Sequence, residues 1–229
     1  MSPNSVQRNL GVVKAAINHV LLEHDLDLRN VIQAIKIKGA GSSYADRLPI
    51  TDEQLDLMTP AFANSEVASS LLLLLTDTGA RLAEITGMEA RDVDLDKAIL
   101  YIRPNDRRGL KTKTSTRSIP LSQRDTECLR QHQVGLADTD PIFPAHAKPG
   151  GNDSASAMLM KRLRIVIIDK KITMHSLRHR MKDKLRNSGC PENLSVEILG
   201  HAHGNVAANY GAGYAIDVMR EALMKVWME

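Results

Sequence analysis

The stretch His175-Ser176-Leu177-Arg178-His179, followed by Leu199-Gly200-His201 and then by Asn209-Tyr210-Gly211, decides how this chain is read. His175 and Arg178, three residues apart, share one face of a helix. A guanidinium offers paired donors that match two phosphate oxygens. An imidazole beside it can donate to the same phosphate or move a proton. Gly200 lets the backbone turn sharply and aim His201. Tyr210 stands in a polar setting, in a chain with only 3% aromatic residues, so it is less easily explained as core. Tyr214 is the contrast: it is expected to begin the last helix and to pack.

Upstream, Thr78-Gly79-Ala80-Arg81-Leu82-Ala83-Glu84 places a second arginine after a glycine break. Glu84, three residues on, can hold Arg81 in one rotamer, the support a precise site needs. As an ordinary surface pair the same spacing would be worth only about 0.3 kcal/mol. Between the two regions, Leu110-Lys111-Thr112-Lys113-Thr114 falls where a hairpin tip is expected. Either lysine there can protonate a leaving oxygen. Two arginines, two histidines, a lysine and a tyrosine are what a metal-free enzyme needs to cut a phosphodiester through a covalent tyrosine link. A phenol with a pKa near 10 stands about three units from neutrality, roughly 4 kcal/mol, so it needs cations or a base close by. Four histidines (His175, His179, His201, His203) also suggest a metal site. The surrounding arginines oppose it, because they repel a cation and suit an anion. No metal and no cofactor are expected.

The composition fits this chemistry. The chain has 229 residues, 43% of them hydrophobic, enough for one good core and a small second unit. The scarcity of aromatics argues against a stacking platform for single strands. The net charge is only +3, but basic residues crowd into 103–117 and 161–186. Two basic clusters flanking one candidate site favour a polyanion. Arg107, Arg108, Lys113, Arg117 and Arg180 are the expected contacts to it. Cys128 and Cys190 are far apart, with no metal-type spacing, as in a reducing compartment. No charged-then-apolar signal pattern opens the chain, and the run Leu71–Leu75 is too short to span a bilayer. That run reads as a buried core helix, and the protein as cytoplasmic, with no membrane partner.

The pattern of elements predicts a mostly α protein with a small antiparallel β-sheet (α+β). Ser5 is the expected cap of an amphipathic helix over 5–23, with Val6, Leu10, Val13, Ile17, Val20 and Leu21 on one face. Gly39, Gly41, Ser42 and Ser43 read as a linker. Thr51-Asp52-Glu53-Gln54 is a capping box that opens a short helix. A long apolar helix is expected over 65–77, and a second helix carries Arg81 and ends at Gly87. Strands are expected over 98–102 and 116–120, joined as a hairpin by the basic stretch. Helices should fill 123–135, 154–168, 176–188, 191–198 and 215–227, with Pro191 at a first helical position.

Taken in order, these segments resemble the catalytic domain of the tyrosine recombinase family, the phage-type integrases. That family carries an arginine in a TG-x-R-x-x-E-like segment, a hairpin lysine, an H-x-x-R helix, an LGH segment and a tyrosine shortly after it. The matches here are Arg81, Lys111, His175 with Arg178, His201 and Tyr210, over about 49–226. The distance to Ile119-Pro120 favours Lys111 over Lys113. The resemblance implies the family's catalytic-domain fold over 49–229. It implies that Tyr210 attacks the scissile phosphate, leaving a 3′-phosphotyrosyl link, while Lys111 protonates the 5′ oxygen. Arg81 and Arg178 would hold the non-bridging oxygens with His201 assisting, and His175 would move a proton or position Tyr210.

The resemblance further implies integration or recombination of double-stranded DNA of a phage or other mobile element, at the nucleoid. It implies tetramers on two duplexes, with accessory DNA-bending proteins. The final helix would exchange between subunits through Ile216, Met219, Leu223 and Val226. Residues 1–48 resemble only the last helix and linker of the family's N-terminal DNA clamp, so DNA affinity should be weak. Two rival readings share the chemistry or the fold: a type IB topoisomerase, and a non-catalytic DNA-binding module.

Overall fold

A computed structural model of the chain describes residues 1–41, 47–109, 115–201 and 213–228. It divides into two compact units, Met1–Arg47 and Leu48–Glu229. The first unit holds α1 (Pro3–Glu23). Ser2, not Ser5, caps it: the Ser2 hydroxyl accepts the Ser5 N–H at 3.2 Å. Pro3 in the first turn explains the early start, since its missing N–H would go unpaired there anyway. Asn30 ties the following segment to α1, donating to Lys14 O at 3.2 Å and Asn18 Oδ1 at 2.6 Å. No residue of α1 is buried, and Val13 and Val20 of its expected apolar face are exposed.

The second unit is mostly helical with one small antiparallel sheet. The Thr51 capping box opens α2 (Asp52–Phe62) as its sequence predicts. Ser65 caps α3 (Glu66–Thr78), whose Leu71, Leu72, Leu74 and Leu75 are buried. Each such leucine contributes about 2 kcal/mol by leaving water. Gly79 ends α3 in the left-handed region, with φ 61°. A Cβ on Gly79 would come within 2.7 Å of both Leu199 Cδ2 and Met181 Cγ, so the close approach of α3 to the later helices requires glycine here. The short helix α4 (Leu82–Thr86) follows, with Arg81 at its N-cap rather than inside it.

Three strands come next: β1 (Val93–Asp94), β2 (Ile99–Ile102) and β3 (Arg117–Pro120), in the order β1-β2-β3. Ile102 faces Arg117 and Leu100 faces Ile119 across the β2–β3 pair. Pro120 lies on an edge strand, where its missing donor is tolerated. The two-residue β1 is the strand that sequence patterning does not register. Five helices complete the unit among the described residues: α5 (Gln123–Gln133), α6 (Gly151–Val166), α7 (Ser176–Asn187), α8 (Glu192–Leu199) and α9 (Ile216–Trp227). Pro191 is the N-cap of α8, one position earlier than its expected place.

The C-terminal helix α9 packs against β3 and α7 of its own body. Met219, Leu223 and Val226, expected to reach a neighbouring subunit, are buried there. Trp227 Nε1 fastens the end of the helix by donating to Asp77 O at 3.0 Å. The stripe is therefore already covered in cis. No helix among the described residues is long and apolar enough to cross a membrane.

Candidate active site

The end of α8 organises the site. A helix C-terminus leaves carbonyls without partners at the negative end of the helix dipole. Three arginines from three distant segments supply donors to three consecutive carbonyls. Arg117, the first residue of β3, donates from Nε to Ile198 O at 2.8 Å. Arg178, in the first turn of α7, donates from Nη2 to Leu199 O and from Nη1 to Gly79 O, the latter at 2.8 Å. Arg81 donates from Nη2 to Gly200 O at 3.0 Å. Gly200 turns the chain with φ 63°, and a Cβ there would lie 2.6 Å from Arg117 Nη1. Gly200 thus makes room for the Arg117 guanidinium, as Gly79 makes room for Leu199 and Met181. His201 follows at once, its N–H donating to Val196 O at 3.0 Å.

Glu84 is the shared counter-charge. Its Oε1 accepts Arg81 Nη1 at 2.7 Å and Arg117 Nη1 at 3.1 Å. Its Oε2 accepts Arg117 Nη2 at 2.9 Å and the Arg81 backbone N–H at 2.8 Å. Burial by itself raises the Glu84 pKa. The hydrogen bonds and charge of Arg117, joined by those of Arg81, outweigh it and bring the value down to about 2. The expected Arg81–Glu84 pairing is present. The contact that sequence spacing does not reveal is Arg117–Glu84, across 33 positions.

Three guanidiniums meet one carboxylate, so positive charge is left in a largely dry place. Arg178 is only 3% exposed. Its burial, then the nearby Arg81 and Arg117, depress its pKa to about 9. Burial also depresses His201, with Arg178, Lys182, Arg81 and Arg117 adding to the effect, to about 4. At neutral pH His201 is therefore an uncharged donor or acceptor rather than a cation. An anion at this place would relieve the repulsion that both shifts record. Each guanidinium carries five N–H donors, so the carbonyl contacts of Arg81 and Arg178 leave others for a ligand. His175 is the exposed N-cap of α7, its ring edge-on to His179 with centroids 5.1 Å apart. Among the described residues no three His, Cys, Asp or Glu side chains are gathered as a metal ion would require.

Lys111, Lys113, His203 and Tyr210 lie outside the described residues. Of the expected polyanion contacts, Arg108 and Arg117 are corrected: both are buried. Arg108 is held by Asp92 at 3.2 Å, and Arg117 by Glu84. Arg107 is partly exposed but ends on Glu89 Oε1 at 2.8 Å and Thr139 O at 2.9 Å. Arg180 ends on Asp52, which Lys184 also approaches at 3.2 Å. The basic run 103–117 folds much of its charge inward because Glu89 and Asp92, on the neighbouring 3₁₀ turn, wait there as acceptors. A signal for Arg117 does exist in the sequence: it alternates with Ser118 and shares the inward face of β3 with Ile119. Tyr214 is also corrected. It precedes α9, is 39% exposed, and donates its N–H to Glu197 Oε1 at 2.9 Å.

The chain is similar to known proteins in sequence and in fold. Residues 49–215 match the family model described as the phage integrase family. The tyrosine recombinase XerD of Corynebacterium glutamicum is 25% identical over 241 residues, spanning 99% of this chain and 74% of that protein. The tyrosine recombinase XerC of Thermodesulfovibrio yellowstonii is 21% identical over 216 residues, spanning 88% of this chain and 68% of that one. Among solved structures, the Tn1549 transposon integrase in complex with a circular intermediate DNA has a similar fold. It aligns with a TM-score of 0.68 and 16% identity, over 98% of this chain and 80% of its own. The XerA recombinase aligns with a TM-score of 0.55 and 18% identity, over 98% and 82%.

Proposed function

The chain belongs to the phage integrase family, and from that premise we propose that Tyr210 cuts and rejoins DNA at a site built by Arg81, Arg178 and His201. The protein is a tyrosine recombinase, its reaction is site-specific DNA recombination and its partner is DNA. The observation that carries the assignment of residues is the convergence of guanidiniums on the end of α8, with more positive charge than Glu84 balances. Such a place suits a phosphodiester whose negative charge grows in the transition state.

In the proposed step the Tyr210 phenol oxygen bonds to phosphorus while the bond from phosphorus to the 5′ oxygen breaks. Lys111, with Lys113 as the alternative, gives its proton to the departing oxygen. His175 takes the phenol proton or positions the ring. Arg81 and Arg178 hold the non-bridging oxygens, neutral His201 donates to one of them, and Glu84 keeps Arg81 in place. The phosphotyrosyl link conserves the bond energy, so rejoining proceeds by the reverse attack with neither ATP nor metal. Four protomers would act on two duplexes at the nucleoid, in the cytoplasm, with accessory DNA-bending proteins. Exchange of α9 between them would first require its release from the body it now covers. Residues 1–48 would serve as the last part of a DNA clamp.

A pool of nicked duplexes of randomised sequence tests this reading, because cleavage beside a nick releases a short strand and traps the protein on DNA. Wild-type protein is expected to give adducts that survive denaturant, with the link mapped to Tyr210. Tyr210→Phe is expected to give none while still shifting DNA in a gel. An adduct that persists in Tyr210→Phe, or one that maps to Tyr214, refutes the assignment.

A further inference from the structure

We infer that Arg117 is a positioning residue for strand cleavage: it locks Arg81 and the turn before His201 to the base of the connection that carries Lys111 and Lys113. The inference rests on the functional reading above. Arg117 itself is buried and does not touch the substrate. Its guanidinium joins three segments. Nε donates to Ile198 O at 2.8 Å, Nη1 to Ser115 O at 3.0 Å and Glu84 Oε1 at 3.1 Å, and Nη2 to Glu84 Oε2 at 2.9 Å.

Each partner leads to a different part of the chemistry. Glu84 sets the rotamer of Arg81. Ile198 O lies three residues ahead of His201. Ser115 is the first described residue after the two lysines and is itself buried. The guanidinium also occupies the space that a side chain at Gly200 would need. Only a planar fork reaches all three partners at once; a lysine offers a single nitrogen. Small errors in placement are expensive: a shift of about 1 Å far from the reacting atoms can slow a reaction about 100-fold.

The test uses the full chain, a nicked duplex recovered from the randomised pool, and single-turnover adduct formation at saturating protein. Arg117→Gln is expected to slow the first-order step by about 100-fold and to leave the dissociation constant for DNA and its salt dependence unchanged. Its effect should largely vanish in a Glu84→Gln background, since both changes act through Arg81. Arg117→Lys keeps the charge and fills the space, and is expected to be nearly as slow as Arg117→Gln. If Arg117→Gln does not fold, Arg117→Lys decides.

A weaker dissociation constant with a flatter salt dependence makes Arg117 a DNA contact and overturns the inference. So do an unchanged rate with only a lowered melting temperature, full activity in Arg117→Lys, additive effects with Glu84→Gln, or the unfolding of both Arg117 variants. None of these results bears on whether Tyr210 is the nucleophile. That is read separately from Tyr210→Phe.

Discussion

Two arginine clusters lie in the second unit, and they carry similar charge to different ends. In the first, Arg91 and Arg107 share Glu89 while Arg103 and Arg108 share Asp92. In the second, Arg81 and Arg117 share Glu84, and Arg178 donates to backbone carbonyls. Each cluster therefore holds two more guanidiniums than carboxylates: four against two, and three against one. The difference is where the surplus sits. In the first cluster Arg91 and Arg103 have side chains 45% and 43% exposed, so water and salt screen the excess. In the second, Arg117 and Arg178 are both buried, and the excess is held in a place of low dielectric. Surplus charge that solvent can screen has little to recruit. Surplus charge kept dry attracts an anion strongly.

The largest expected effect comes from breaking the dry cluster. Arg178→Gln removes the guanidinium with the strongest burial and should slow adduct formation by about 1,000-fold, the scale seen when one pre-organised donor is removed from a developing charge. Protein captured on the nicked duplex in single turnover measures it. If Arg178→Gln cleaves at the wild-type rate, the dry cluster is not the reacting site and the contrast between the clusters fails. The exposed cluster should respond in stability instead. Arg108 is its one deeply buried arginine, and Arg108→Met removes a partner from fully buried Asp92. Arg103 still pairs with Asp92, so the cost stays at or below about 4 kcal/mol, that of an uncompensated buried charge, read as a lower urea midpoint. Adduct formation per folded molecule should not change. Slower cleavage with unchanged stability would move Arg108 from scaffold to site.

The same contrast shows what a linear sequence reveals. The order of motifs was legible because it depends on residue types at short spacing: His175 with Arg178, Arg81 with Glu84, Gly200 before His201. Helices were legible wherever a cap announced them, as at Thr51, and the run Leu71–Leu75 could only be core. Assignments slipped by one to three residues at Ser2, Arg81 and Pro191, where capping geometry rather than periodicity sets the boundary. What stayed hidden was the destination of each arginine. Arg107, Arg108 and Arg117 look alike in a basic run. Their acceptors lie 18, 16 and 33 positions away, and no local pattern encodes a partner at such a distance. Arg117 alone left a trace, through its alternation with Ile119 on β3.

The smallest expected effect sharpens the comparison through pH. Glu84 has an ordinary value of 4.5 and is held at about 2 in the folded protein. Because the folded value is the lower one, protons bind the unfolded chain first as pH falls. The stability due to the Glu84 carboxylate is complete above pH 4.5 and is lost between there and about 2. Two and a half units correspond to about 3 kcal/mol. His201 is depressed from 6.5 to about 4, so its contribution is lost in an earlier window, as pH falls between those values. The His201 loss is common to wild type and Glu84→Gln, so the gap between their urea midpoints should hold steady from pH 7 to 4.5 and should shrink as pH falls from 4.5 to about 2. A Glu84→Gln curve that runs parallel to wild type down to pH 2 would mean that the carboxylate gains nothing from its arginines. The dry cluster would then be held by its carbonyls alone, and Arg117 would lose the partner through which it acts on Arg81.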